Sequence, residues 1–523
     1  MDSLNGELRQ VLRGPANNIK SFEGDAMSDG TYDVIVVGGG NAALCAALAA
    51  SDQGARVLVL ERAPEDLPGG NSAFTGGGMR MVHNGLETVL SVVPDLSEQE
   101  KQLTDFGVYS EAHYLDDLGR LTQYYCDPDL AETLVKGSTS TVQWIHSKGV
   151  KFLPFYGSYS VKKGDRRVFF GGTVVYASGG GRGLVDAEMK AARKAGVEIR
   201  FNHQVTNLLR ATNGVAGVRV KPKGQAEVEI RSKAVVLACG GFEANREMRS
   251  RYLGPGWDMA TVRGTRYNTG DGLRMALEIG AQPAGQWSGC HAVAWERNAP
   301  QFGDLDKTAE PYRHSYPWGI MVNADGKRFV DEGADFRNYT YAKYGRVVLA
   351  QPGSFAWQVF DSQVLHLLRD EYKLRGATKV RADTLEQLVE KMQDVNPAGF
   401  LQTIEDYNAA VTRDVGFNPE VKDGRRTKGL PVDKTNWANT IEKGPFEAYS
   451  VGCGITFTFG GVKIDTGCHV LDIEDQPIPG LYASGEMVGG LFYFNYPGSS
   501  GLMSGAVFGR ISGQSAGAYA KAV

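Results

Sequence analysis

Cysteine is sparse and unpatterned. The six residues Cys45, Cys126, Cys239, Cys290, Cys453 and Cys468 are scattered and include no CxxC pair. That excludes a zinc ribbon, a redox dithiol and a CxxCH haem attachment, and no metal site is expected. It suits free thiols in a reducing compartment, so the cytoplasm is the expected location. Long apolar runs are lacking too: no stretch of 18 occurs, and no membrane span is expected. Residues 1–30 have no apolar h-region and read as an extension ahead of the first strand, not as a secretory signal. Nor is there an excess of charge of one sign. With 56 Lys and Arg against 60 Asp and Glu, the formal net charge is −4, which does not suit a phosphate backbone as partner.

Glycine is what the chain has in quantity, 67 of 523 residues. Without a collagen period, that number means many turns and many close approaches of backbone to something else. The segment TYDVIVVGGGNAALCAALAA (Thr31 to Ala50) puts a buried apolar run ahead of Gly38, Gly40 and Ala43 in a G-x-G-x-x-A pattern. An alanine-rich helix and a second run, VLVLE, follow, ending at Glu61, 18 residues after Ala43 (61 − 43). The first glycine makes a tight turn, the second admits a pyrophosphate, and the small third residue lets helix pack on strand. The helix start, with Asn41 and Ala42, offers free amides to phosphate, and Glu61 with Arg62 meets the ribose end. NAD and FAD share this fingerprint, so it leaves the dinucleotide open.

Further glycine-rich words follow in order: GGNSAFTGGGMR from Gly69, VVLACGGF from Val235, NTGDG from Asn268, GLYASGE from Gly480 and NYPGSSGLMSGAVFGRISG from Asn495. From about Tyr32 onward, this order resembles the flavoprotein subunits of the fumarate reductase and succinate dehydrogenase superfamily. The segments GNAALCAALAA, CGITFTFGG and YPGSSGLMSGAVFGR look closest to its tricarballylate dehydrogenase branch. The resemblance implies FAD, an α/β fold with a Rossmann-like FAD-binding domain, and an inserted α+β capping domain. It places Gly69, Gly70, Asn71, Ser72, Thr75, Gly76, Gly77 and Gly78 against the flavin and its diphosphate. Val205 would meet the adenine through its backbone, with Ala238 and Gly240 nearby. Asp271 would lie near the flavin, Gly485 and Glu486 on the ribityl chain, and the Ser500, Gly501 and Leu502 amides at the pyrimidine end of the ring. Relatives with covalent FAD carry a histidine in the second glycine loop. This loop has none, so non-covalent FAD is expected.

The FAD-binding domain is expected in two parts, 31–280 and 445–523, with the capping domain at 281–444. Within the cap, GIMVNADGKRFVDE (Gly319 to Glu332) suits a hairpin turning at Asp-Gly. The cluster SGGGRG (Ser178 to Gly183) follows a polar segment and not a buried strand, so a second nucleotide site is not expected there and a separate electron acceptor is.

Arg337 (VDEGADFRNYTY) matches the place where fumarate reductases carry a proton-donating arginine, and is the leading catalytic candidate. The alternative is an arginine paired with Asp331, Glu332 or Asp335. Tyr496 stands in a Tyr-Pro-Gly loop similar to that of ketosteroid Δ1-dehydrogenases, where it polarises a carbonyl. The Ser500 amide would help it hold a developing enolate. Fumarate reductases have a histidine where Phe457 stands and an arginine near Tyr496, so this chain departs from simple fumarate chemistry. His291, Arg313, Tyr339 and Thr458 are expected to bind substrate, with His314 and Tyr341 as further pocket candidates. The expected activity is FAD-dependent desaturation beside a carbonyl or carboxylate of a small acid or cyclic ketone, by α-proton abstraction and β-hydride transfer. The reverse enoate or enone reduction, or a 3-ketosteroid dehydrogenase, is the alternative.

Overall fold

The computed structural model describes residues 31–308 and 310–523; the expected extension 1–30 lies outside the described residues. The apolar run becomes the strand Tyr32–Val37, and Val34, Ile35 and Val36 have no solvent exposure. A strand covered on both faces needs apolar residues throughout, which is why this stretch shows no alternation. It pairs in parallel with Val57–Leu60 on one side and Val228–Leu237 on the other. Val57–Leu60 continues in parallel to Glu198–Arg200, and Val228–Leu237 to Pro477–Ala483. Antiparallel additions at Gly214–Pro222, His203–Ala211 and His469–Leu471 bring this sheet to eight strands among the described residues.

Two helices cover the central strands, Asn41–Asp52 and the terminal Ser500–Ala522. They touch along a glycine stripe. A Cβ on Gly509 would meet the Ala42 carbonyl at 2.5 Å, and one on Gly513 the Ala46 carbonyl at 2.1 Å. The Asn41 amide crosses the contact and donates to the Leu502 carbonyl at 2.8 Å, between residues 461 apart in sequence.

A second sheet of six strands is built on the long strand Phe446–Val462, which pairs antiparallel with Pro283–Glu296 and with Ala356–Phe360. Thr261–Val262 joins it in parallel. The expected turn at NADGK forms, with Val322 bridging Arg328 and Gly326 at φ +74°. The cluster SGGGRG starts the helix Gly180–Lys194 and packs on the second glycine loop. The Gly181 amide donates to the Thr75 carbonyl at 2.9 Å, and a Cβ on Gly181 would meet the Ser72 carbonyl at 1.9 Å. Those glycines are spent on a close approach between two backbones. Among the described residues no helix is long and apolar enough to cross a membrane.

Candidate active site

One cavity of about 430 Å³ runs from the C-terminal end of the central parallel strands to the face of the second sheet. Its first end is lined by Gly38, Gly40, Asn41, Ala42, Glu61, Arg62, Val205, Ala238, Gly240 and Asp271. Gly38 has φ +115°, and a Cβ there would strike the Ala238 carbonyl at 2.4 Å, so only glycine makes this turn. The helix that begins after Gly40 has no side-chain cap and no acidic residue in its first turn, which leaves its positive end open to an anion. Glu61 is buried, with one oxygen accepting the Ala63 amide at 2.7 Å. Asp271 pairs with Arg62 at 2.6 Å, and Gln204 donates to it at 3.2 Å. It therefore lines the same end of the cavity as Glu61 and Arg62; the sequence expectation was a place near the flavin.

The middle of the cavity carries Gly70, Asn71, Ser72, Thr75, Gly76 and Gly78 from the second loop, and Gly485 and Glu486 from the turn after the strand Pro477–Ala483. Gly69, Gly77 and Ala43 stand behind this wall. Gly69 approaches Val185, Gly77 approaches Gly180, and Ala43 is buried in a core cluster with Val34 and Val36. Asn71 donates to Glu243 and to the Thr456 carbonyl, both at 2.6 Å, and Asn268 donates to the same Glu243 oxygen at 2.6 Å. Burial and the neighbouring Glu486 push the Glu243 carboxyl well above the usual range, which favours its protonated form. Thr458 uses both its amide (2.7 Å) and its hydroxyl (3.1 Å) to hold Glu486, so this residue orients the cavity wall. The terminal helix also begins here without a side-chain cap, and Gly501 and Leu502 face the cavity. An elongated cavity with a buried acid at one end and two uncapped helix starts along it fits a dinucleotide.

The far end is lined by Phe155, Tyr159, Arg263, His291, Tyr312, His314, Arg337, Tyr341, Arg369, Glu371, Phe457 and Tyr496. Arg337 has no hydrogen-bond or ion-pair partner among the described residues, and its guanidinium stands 5.5 Å from the centre of the Tyr341 ring. The acids the sequence offered it are taken: Glu332 by Arg328, Asp335 by Arg120 and Lys422, Asp331 by Thr435. Burial and the nearby Arg369 hold the Arg337 pKa below its ordinary value. Tyr496 and Tyr341 share a hydroxyl–hydroxyl bond of 2.5 Å. Burial raises both phenols, Tyr341 to about 12. His291 packs edge-on against Tyr341 and Phe457, and neither ring nitrogen has a partner. Burial lowers His291 and His314 well below the ordinary histidine value, so both are neutral.

Three residues expected to touch substrate lie off the cavity. Arg313 is fully buried and paired with Glu296 at 2.7 Å. The extended segment bridged to Trp295 at Tyr312 sends Tyr312 and His314 to the cavity and Arg313, between them, to the opposite side. Tyr339 donates to Asp117 at 3.2 Å and stacks on Arg120, and its carbonyl holds Asn495 next to Tyr496. The Ser500 amide donates to the Pro497 carbonyl (3.0 Å) and so is not open to an oxyanion, while the Ser500 hydroxyl accepts from Tyr114 (2.9 Å) away from the cavity lining. The sequence reading missed Arg263, Tyr312, Arg369 and Glu371. Arg263 did leave a signal, as a lone charge in the apolar stretch ATVRG shortly before NTGDG.

Fold and cavity together define a dinucleotide-dependent oxidoreductase of the α/β type. The family model described as FAD binding domain matches residues 33–502, and the chain belongs to that family. It is 32% identical to the protein named Probable fumarate reductase Ifc3 of Shewanella frigidimarina, over 94% of this chain and 75% of that one. It is 28% identical to 3-oxosteroid 1-dehydrogenase of Mycolicibacterium smegmatis, over 93% and 97% of the two chains. The open conformation of a flavocytochrome c3 fumarate reductase superposes with a TM-score of 0.69 at 29% identity, covering 94% of this chain and 79% of that one. FAD is thus the cofactor, and the chain is a flavin-dependent oxidoreductase acting on CH–CH groups.

Proposed function

We propose that the chain reduces the carbon–carbon double bond of a 2-enoate, an α,β-unsaturated carboxylate. The observation that carries this reading is the set of proton donors that lines the reacting end, Arg337 beside the hydrogen-bonded pair Tyr341 and Tyr496. Arg337, Tyr341 and Tyr496 all enter with a proton to give, while the two histidines there are weak bases held neutral by burial. A guanidinium can donate at once but must first lose a proton before it can accept one, so the stock of acids favours reduction over α-proton abstraction. Bound FAD supplies the hydride chemistry. Arg337 gives the proton to the α-carbon as the β-carbon is reduced, which adds two electrons and two hydrogens in all. Tyr496, bonded to Tyr341, donates to the substrate oxygen on which charge develops. Residues 281–444 act as the cap over this end. A separate carrier brings the electrons, because the SGGGRG glycines pack on the second glycine loop and offer no second dinucleotide site. FAD is held without a covalent bond, since Gly70–Phe74 contains no histidine. The six free cysteines suit the cytoplasm.

A second reading is dehydrogenation of a cyclic ketone or a tricarballylate-like acid, favoured by the paired phenols of Tyr341 and Tyr496. The test is anaerobic. The chemically reduced holoenzyme is mixed with crotonate, cinnamate, fumarate and cyclic enones, and the flavin absorbance is followed. Reoxidation by an enoate supports the proposal. Bleaching of the oxidised enzyme by tricarballylate or a saturated ketone, with silence towards enoates, overturns it. Denaturation should release all the yellow colour, and flavin left on the polypeptide would refute non-covalent binding.

A further inference from the structure

Arg263 sits where a strand of the second sheet meets the cavity wall, with its backbone amide bonded to the Ile455 carbonyl at 2.8 Å. Its guanidinium stands 4.5 Å from the centre of the Tyr312 ring and 5.8 Å from that of Trp295. It donates to the Tyr312 hydroxyl at 2.8 Å and to the Thr456 hydroxyl at 3.3 Å, and Nε is buried with no partner. An arginine carries five N–H donors, so three of them have no acceptor in the protein. Among the described residues it makes no ion pair. Glu371 in the lining is committed to Arg369 at 2.8 Å, and Glu296, which lines an adjoining small cavity, to Arg313 at 2.7 Å. Asp304 and Glu310 line that same cavity, of about 190 Å³, without pairing to Arg263.

A cation enclosed by protein without a counter-ion is costly unless a ligand supplies the anion. Here there are two, Arg263 and Arg337, and both act on His314 and Tyr341, so they flank the same space. They differ in how they are held. Arg337 is free of hydrogen bonds. Arg263 is fixed by two hydroxyls and a ring face, the arrangement that presents a guanidinium to a carboxylate in one orientation.

We infer that Arg263, fixed by Tyr312 and Thr456, is the anchor for the substrate's carboxylate and sets the preference for acids over neutral carbonyl compounds. This rests on the reductase reading above and divides the work at the site, with Arg263 binding the carboxylate and Arg337 moving the proton. The chain needs no second carboxylate on the substrate, because the facing wall is aromatic, with Phe457 and Tyr496 at 5.2 Å between ring centres.

The probes are cinnamate, its neutral amide cinnamamide, and fumarate. Binding to the oxidised holoenzyme is read without turnover, from the perturbation of the flavin spectrum, and KM and kcat are measured separately. The wild-type protein should bind cinnamate at least about 30-fold more tightly than cinnamamide, as expected for a charge-assisted bidentate contact. Arg263→Gln should weaken cinnamate about 30- to 100-fold and cinnamamide less than about threefold, with KM rising far more than kcat falls. Arg263→Lys should recover part of the loss, since it restores charge without the fork. Equal weakening of acid and amide, or no weakening, overturns the assignment of Arg263 while leaving the reductase reading in place. If the Gln variant does not fold, the wild-type preference for acid over amide still decides, and its absence counts against the anchor. Failure of every carboxylate to bind or reoxidise the wild-type enzyme removes the reductase reading, and the anchor with it.

Discussion

Replacing Arg313 by methionine should destabilise the protein heavily and leave substrate recognition almost untouched. Arg313 has no solvent exposure, and Glu296 is 4% exposed. One guanidinium nitrogen donates to Glu296 at 2.7 Å, and another donates to the carbonyls of Glu310 and Tyr312 at 2.8 and 2.7 Å. Methionine fills much of the volume but leaves Glu296 with only the amides of Thr378 and Asn298, at 3.0 and 3.3 Å. Breaking a buried pair from one side costs about 3–5 kcal/mol, because the remaining charge has lost its compensation. The double variant Arg313→Met with Glu296→Gln removes that charge and should recover more than about 1 kcal/mol, a coupling that a mutant cycle measures directly. Urea unfolding of the holoenzyme, followed by circular dichroism, gives the four stabilities, and KM for an enoate gives the control. A single-variant loss below about 1 kcal/mol, or a tenfold rise in KM at full FAD occupancy, would show that Arg313 faces substrate and not Glu296.

Other measurements bear on other parts of the molecule. Burial lowers the His83 pKa to about 4 from an ordinary value near 6.5. The unfolded chain therefore takes up this proton first as pH falls, and stability is lost between about pH 6.5 and 4, up to about 3 kcal/mol. A His83→Gln variant should lack that acid limb, and an unchanged pH profile would place the loss elsewhere. Gly513→Val drives a side chain into the Ala46 carbonyl and should part the two helices, costing about 1–3 kcal/mol and lowering FAD retention after gel filtration. Full retention would mean that the helix contact does not govern the cofactor. Tyr496→Phe removes one donor and should lower kcat about 100-fold with FAD still bound, whereas near-normal turnover would move the polarising role to Tyr341.

The nucleotide half of the site was legible in the sequence because its signals are local. A turn that only glycine can make, a helix start and a strand-ending acid all fall between Gly38 and Glu61, and the structure brings them to one wall. The reacting end was harder, because its residues come from separate strands and their direction depends on pairing. Arg313 and Tyr312 are neighbours in sequence, yet one meets Glu296 and the other meets the cavity, a choice set by the bridge between Tyr312 and Trp295. Ser500 looked free because a helix start normally leaves its amides open. Here the turn from Pro497 closes on that amide. Arg263 was passed over because its importance lies in a missing counter-ion, and that is visible only once the surrounding carboxylates have found other partners.

The glycine stripe between the first and the terminal helix has a consequence for how the protein matures. The amide of Asn41 waits for a carbonyl made 461 residues later, and the cavity wall at Gly501 and Leu502 arrives with that same late helix. A nascent chain that has already folded its first strand and helix still presents half a groove. The full groove for the flavin therefore exists only once the segment around Gly501 and Leu502 has been made and has packed on the first helix. A yellow molecule has, by that fact, brought together segments 461 residues apart, from Asn41 to Leu502.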